Sequence, residues 1–377
     1  VAVTIGILAE TAPAEARIAA TPETIKKYIK AGASVWVESG AGNGTYISDA
    51  ALGEAGATVV SRDEVLAQAN LILSVQIPGN GDLRALKPGT VVVGLANAWS
   101  RPELPAVASD LGLTILAVER VPRITRAQSM DVLSSQANIA GYRAVIEAAA
   151  HYARAMPMMM TAAGTVAPAK VMVMGAGVAG LQAIATARRL GAVVVATDVR
   201  LAAKEQVLSL GAKFVMVEDD ESKAAETSGG YAREMSAAYQ AKQAALIAET
   251  VQKQDIVITT AQIPGRAAPR LVTEAMIKTM RAGSVIVDMA VEQGGNVEGS
   301  IAGQVVMRHG VNLVGYINLP SRIASDAASL YARNLWALYG LIVDPETGTW
   351  RLDMNDAVIK AMVIAHQGKN FLEEQAA

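Results

Sequence analysis

The sequence predicts an α/β protein of two doubly wound parallel-sheet domains, on three observations. Its first third alternates short, β-branched apolar runs with stretches of helical periodicity, as strands joined by helical crossovers do. The stretch VMVMGAGVAGLQAIATARRLGAVVVATDVR, from Val171 to Arg200, reads as strand, glycine turn, helix, strand and acid. That pattern makes the second domain a Rossmann dinucleotide-binding fold. Strand-like runs continue to Tyr316, giving about six parallel strands, the number in a complete fold of this kind.

Composition sets the bounds. With 377 residues, 52% hydrophobic and 18% charged, the chain is long and apolar enough for two or three compact domains. A net charge of −2 without any basic block excludes a nucleic-acid partner. The absence of cysteine rules out disulfides, thiolate metal sites and cysteine nucleophiles, and fits a reducing compartment. The opening VAVTIGILAE has no basic leader and no cleavage site, so it is read as a first strand, not a signal peptide. No apolar run approaches the ~20 residues of a membrane helix, so the protein is expected to be soluble, with any membrane contact indirect. His151, His309 and His366 lie away from every motif, and no metal-ligand spacing is visible.

In chain order, residues 3–8, 34–37, 71–75, 91–95 and 114–117 are expected strands, and 22–31, 62–69 and 102–111 helices. Thr21 before Pro22 is a helix start, and Ser61 and Ser100 are candidate caps for the next two helices. Ala41-Gly42-Asn43-Gly44 marks a loop at a strand end. Residues 119–138 form a polar stretch that holds Arg123, Gln128, Asp131 and Ser134 between a strand and a helix. It is either a binding loop on a rigid scaffold or a solvated connector with a helix cap at Ser134 or Ser135. The helix that follows, to about residue 155, is expected to stop at Pro157, with Met158, Met159 and Met160 packing a domain junction.

In the glycine stretch, Gly175 permits the turn, Gly177 lets backbone approach a pyrophosphate at the helix N-terminus, and Gly180 lets helix and strand pack closely. Arg188 and Arg189 in the last turn, with Gly191 beyond it, suit the helix end. Asp198, 18 residues after Gly180, is expected to take the ribose hydroxyls. A carboxylate there favours NAD(H) over NADP(H), although Arg200 is the residue type that accommodates a 2′-phosphate. Helices are expected at 203–210 and 235–251, and strands at 213–217, 255–260, 284–288 and 311–316. The polar strand tips, with Gln262, Glu292 and Asn318, are candidate rims of a site. Thr227-Ser-Gly-Gly230-Tyr231-Ala-Arg233 has hinge composition and reads as either a lid or a surface loop. A helix at 323–339, a hairpin-like turn from Asp344 to Thr349 and a terminal helix at 356–367 are surplus to the second domain. They are expected to return to the first. The boundaries are therefore 1–134 with 320–377 for the first domain and 135–319 for the NAD(H)-binding domain.

Three motifs carry a resemblance: Pro122-Arg123-Ile-Thr-Arg-Ala-Gln128-Ser-Met-Asp131-Val-Leu-Ser134, then Met158-Met-Met-Thr-Ala-Ala-Gly164, then the glycine stretch. Across nearly its whole length the chain resembles the NAD(H)-binding component of proton-translocating nicotinamide nucleotide transhydrogenase. The resemblance implies that Arg123, Gln128, Asp131 and Ser134 contact the nicotinamide and its ribose. It further implies that Asp198 holds the adenosine ribose with Val199 and Arg200 beside it, and that Val178 lies at the pyrophosphate turn. Gly230 and Tyr231 would belong to a closing loop, and Gln243 and Gln262 would line the pocket. It also implies a homodimer, partnered by a membrane subunit and an NADP(H)-binding domain, peripheral on the cytoplasmic face of the inner membrane. Ala9 before Glu10 departs from the family, which usually has a lysine there, and the tail after Asp344 matches no family pattern.

A dehydrogenase acting on an alcohol or amine removes a proton with the hydride and needs a base. The related alanine dehydrogenases share Arg17-Ile-Ala-Ala-Thr-Pro and use a lysine and a histidine, whose positions fall near Gln76 and Ala96 here. Neither serves as a base, which points to hydride transfer between two nicotinamides. The alternatives are an amino-acid dehydrogenase with an unusual base and an NAD(H)-sensing module. Arg123 and Asp131 are expected to pair when no nucleotide is bound.

Overall fold

The computed structural model describes residues 3–98, 100–217, 236–262, 266–344 and 347–372. It divides into two compact units, one running to Gln136 and resuming at Pro320, the other spanning Ala137–Leu319.

In the first unit β1 (Thr4–Ile7), α1 (Pro22–Lys30), β2 (Ser34–Glu38), α2 (Asp49–Glu54), β3 (Thr58–Val60), α3 (Arg62–Gln68), β4 (Leu71–Gln76), α4 (Asn80–Ala85), β5 (Val91–Leu95), α5 (Leu104–Asp110) and β6 (Thr114–Ala117) follow one another. Six parallel strands stand in the order β6-β5-β4-β1-β2-β3. Leu71, Ile72, Leu73, Val92 and Val93 are all buried, because a parallel sheet is covered on both faces. Thr21 starts α1 and its amide donates to Thr24 Oγ1 at 3.0 Å. Ser61 and Glu64 form a reciprocal capping box on α3.

Ser100 does not cap α5. Its hydroxyl turns back to the Asn97 carbonyl at 3.0 Å, and the helix begins only at Leu104 with Pro105 in its first turn. A proline is tolerated there and not deeper, so Pro105 sets the start. The short elements α2, β3 and α4 escape the sequence pattern.

The expected terminal helix is also corrected. It lasts only for α12 (Ala357–Met362), capped by Asp356, and then becomes β16 (Val363–His366) and β17 (Lys369–Asn370). β16 pairs antiparallel with β6, extending the sheet to eight strands. β-branched Val363 and Ile364 at an open sheet edge override the helical pattern. Gln367 and Gly368, at φ 49° and 74°, make the two-residue hairpin turn that requires such values. Between the units' chain segments lies α6 (Val132–His151), whose first turn belongs to the first unit. It ends before Pro157, so the proline is not its stop. α11 (Ala324–Ile342) brings Ala328, Tyr331, Leu335 and Leu338 into the first unit's core.

In the second unit β7 (Met159–Thr161) and β8 (Gly164–Val166) pair only with each other. Met159 and Met160 on β7 are 44% and 76% exposed and Met158 just before it 58%, whereas Met156 is buried. Then come β9 (Lys170–Met174), α7 (Val178–Arg189), β10 (Val193–Thr197), α8 (Ala203–Ser209), β11 (Lys213–Phe214), α9 (Ala237–Val251), β12 (Ile256–Thr259), α10 (Glu274–Thr279), β13 (Val285–Asp288), β14 (Val305–Arg308) and β15 (Val311–Val314). The sheet order is β11-β10-β9-β12-β13-β15-β14, with six parallel strands and β14 antiparallel at the edge. β9 stands where the order reverses, which in such sheets puts the ligand crevice at its carboxyl end.

Candidate nucleotide site

At the end of β9, Gly175 has φ 107°, a backbone state costly for any residue with a Cβ. A Cβ on Gly180 would stand 1.8 Å from the Gly175 carbonyl oxygen, so the first turn of α7 packs directly on the loop. Gly177 is different: a Cβ there would meet no atom of the described residues within 4 Å. Neither sterics nor φ among the described residues demands glycine at that position, and the space around it could admit a ligand. Gly177 begins α7 without any side-chain cap, leaving the helix N-terminus suited to an anion. The residues present thus fit a dinucleotide. Val178, the first helical residue, is 41% exposed beside this space.

Asp198 closes the loop from the next strand. Its Oδ2 accepts from the Ala176 amide at 2.7 Å, and its Oδ1 from the Arg200 amide at 2.8 Å. The Arg200 guanidinium lies on the same carboxylate at 3.0 and 3.1 Å. Burial pushes Asp198 up, but the Arg200 guanidinium and the two amides outweigh it and hold the carboxyl below its usual range. Arg200 is therefore engaged as the counter-ion of Asp198. Val199 between them is 75% exposed. Gln243 on α9 accepts from the Val217 amide at 2.8 Å and reaches Thr197 Oγ1 at 3.4 Å, bracing the end of β10. Gln262 is exposed and donates to the Met289 carbonyl at 3.0 Å. Asn296, which meets the Ala261 amide and the carbonyls of Ala261 and Pro269, fixes the base of that tip. Gly230 and Tyr231 lie outside the described residues.

In the first unit the polar stretch folds as a 3-10 turn, Thr125–Met130, running into α6. Ala127, Met130 and Val132 are buried in the core. Arg123 and Gln128 are exposed, and among the described residues neither side chain has a hydrogen-bond partner. Asp131 does not pair with Arg123. Its Oδ1 accepts from the Ser134 amide at 2.9 Å and its Oδ2 from the Ser134 hydroxyl at 2.5 Å. Asp131 is thus the cap of α6, in place of Ser134 or Ser135, because an orphan helix-end amide competes better than a mobile guanidinium. Arg126 pairs instead with Asp356, at 2.9 Å to each oxygen. The structure brings Asp131 and Ser134 together, and Asp198 with Arg200. The sequence reading missed Asn334, which bonds this turn from α11; the only signal was an asparagine amid apolar helix positions.

The carboxyl ends of β1, β4 and β5 enclose a cavity of roughly 290 Å³, lined among others by Glu10, Arg62, Gln76, Asn97 and Arg101. Gln76 donates to Glu15 Oε2 at 3.2 Å and accepts from Asn97 Nδ2 at 2.8 Å. Glu10 accepts from the Val75 and Gln76 amides at 2.6 and 3.1 Å. Burial, partly offset by those amides, pushes it up to about 7. Ala96 is fully buried. Among the described residues no group of histidine and carboxylate side chains could hold a metal ion, and no helix is long and apolar enough to cross a membrane.

Two family models match, the alanine dehydrogenase/PNT N-terminal domain over residues 6–140 and the C-terminal domain over 144–373. The chain is 49% identical over 370 residues to an NAD(P) transhydrogenase subunit alpha chain of Rhodospirillum rubrum, covering 97% of this chain and 96% of that protein. It matches the crystal structure of transhydrogenase from Sinorhizobium meliloti with TM-score 0.89 and 51% identity, over 97% and 99% of the two chains. Alanine dehydrogenase of Mycobacterium tuberculosis is more distant, 31% identical over 78% of this chain and 74% of that one.

Proposed function

The chain belongs to the alanine dehydrogenase/PNT family, and we propose that within it the protein is the NAD(H)-binding component of a proton-translocating NAD(P) transhydrogenase. It presents NADH for direct hydride transfer to NADP⁺ held by a partner subunit. The observation that carries this reading is Gln76. It stands at the end of β4, its amide fixed between Glu15 and Asn97, where it can orient a group but cannot take a proton. Hydride passage between two nicotinamides requires positioning and no base.

In this reading the Gly175–Gly180 turn grips the pyrophosphate and Asp198 the adenosine ribose, with Val178, Val199, Arg200, Gln243 and Gln262 around them. Arg123, Gln128, Asp131 and Ser134 orient the nicotinamide, the group that supplies the hydride. Residues 135–319 bind, and 1–134 with 320–377 orient. The bare Met158–Met160 hairpin supports a homodimer, since an exposed apolar patch on a paired strand calls for cover. A membrane subunit and an NADP(H)-binding domain complete the assembly on the cytoplasmic face of the inner membrane.

The test mixes this chain with an NADP(H)-binding domain and follows reduction of an NAD analogue by NADPH. Transfer is expected; none, with both nucleotides bound, overturns the reading. One observation favours an amino-acid dehydrogenase instead: Glu10 is held near neutrality, as a base would be. That alternative requires NAD reduction by alanine or a similar substrate with this chain alone, lost in Glu10→Gln.

A further inference from the structure

Asn334 sits in the middle of α11, on the face that carries Ala328, Tyr331, Leu335 and Leu338 into the core, and is itself 8% exposed. A buried amide is costly unless both its ends are paired. Here both go to the loop that holds Arg123 to Ser134. Nδ2 donates to the Ser129 carbonyl at 2.8 Å, and Oδ1 accepts from the Ser135 hydroxyl at 2.7 Å. Ser129 follows Gln128 and Ser135 follows Ser134, so one side chain clasps the loop on both sides of Asp131.

The loop's remaining buried contacts are of another kind. Ala127, Met130 and Val132 anchor it by apolar packing, which is non-directional and fixes depth more than rotation. Gln136 reinforces the clasp, reaching Ser135 Oγ at 3.2 Å and the Ala327 carbonyl at 3.1 Å. The Arg126–Asp356 pair is half exposed and holds loosely. Among the described residues the buried directional restraint on the turn at Ser129 therefore resides in Asn334, which Gln136 supports only at Ser135. It needs one donor and one acceptor on a short planar group, which neither a hydroxyl nor a carboxylate supplies.

We propose that Asn334 is a positioning residue for hydride transfer. Through Ser129 and Ser135 it sets the angle at which Gln128, Asp131 and Ser134 meet the nicotinamide, and so governs the transfer rate, not the affinity for NADH. This rests on the transhydrogenase reading. Affinity is spared because Asn334 touches none of the residues at the glycine turn, while rate is sensitive to small errors of orientation.

Asn334→Asp keeps the shape and removes the donor to Ser129; Ser135→Ala removes the other bond. With the NADPH-loaded partner domain, Asn334→Asp is expected to slow single-turnover transfer at least about tenfold and Ser135→Ala about threefold. NADH affinity should stay within about threefold of wild type. Amide exchange across residues 125–135 should quicken about tenfold in Asn334→Asp. Transfer within twofold of wild type in a folded Asn334→Asp, or a loss of rate that only mirrors lost NADH binding, overturns the proposal. If that variant does not fold, Ser135→Ala decides alone, and wild-type rate with wild-type exchange in it is equally fatal. Should wild type itself transfer no hydride, the transhydrogenase reading fails, and exchange at 125–135 still decides whether the clasp exists.

Discussion

Gly141 of α6 touches Ala179 in the first turn of α7 so closely that a Cβ on it would stand 2.1 Å from the Ala179 carbonyl oxygen. The helix backbones meet there without an intervening side chain. Gly141→Ala must push α6 away from the glycine turn. Overpacking of this kind costs about 1–3 kcal/mol, and NADH binding should weaken with it. Gly53→Ala in α2 is the control, since its Cβ meets nothing within 4 Å; thermal melts and NADH titration of both should show only Gly141→Ala impaired.

Asp198→Asn should weaken NADH binding by about tenfold or more, roughly 1.4 kcal/mol. The variant loses the charge that holds Arg200 and the Ala176 amide in place. Release of Arg200 should at the same time improve NADPH binding to this chain. Equilibrium titration with both nucleotides checks it, and an unchanged preference would mean that Asp198 serves only the loop.

Gln128→Asn is expected to slow hydride transfer more than it weakens NADH binding. Gln128 is exposed and makes no side-chain bond among the described residues, so its shortening leaves the fold intact and changes only reach. Equal losses in rate and affinity would make it an anchor and not an orienting group.

Glu10 gives a pH signature. Burial raises its carboxyl from 4.5 to about 7, so the folded state holds a proton that the unfolded state has released. Stability from this group is therefore greatest below about pH 4.5 and falls as pH rises through 7, by up to about 3 kcal/mol. Glu10→Gln should flatten that slope in denaturant titrations at pH 5 and 8. It should leave transfer between nucleotides unchanged, because no proton moves in that step.

The glycine turn was legible in the sequence because its causes are local. Gly175 needs its positive φ, and Arg188, Arg189 and Gly191 mark the end of α7 within a few residues. The alternation of the first third gave its parallel strands for the same reason, each run carrying its own apolar period. Elements too short to show a period, α2, β3 and α4, did not register. The tail was misread at Val363, where the open edge of β6, not the local pattern, chose strand over helix.

What the sequence could determine by itself was the kind of site: a glycine turn, an acid after the second strand, and a polar loop without a base. Tertiary structure decided how those parts are held. Asp131 turned out to cap its own helix and bond Ser134 instead of pairing with Arg123, and Arg200 to lie on Asp198. Asn334, 205 residues from Ser129, clasps the loop. A motif is written in neighbouring residues, but a hydrogen bond between distant ones exists only after packing has brought them together, and no local pattern records it.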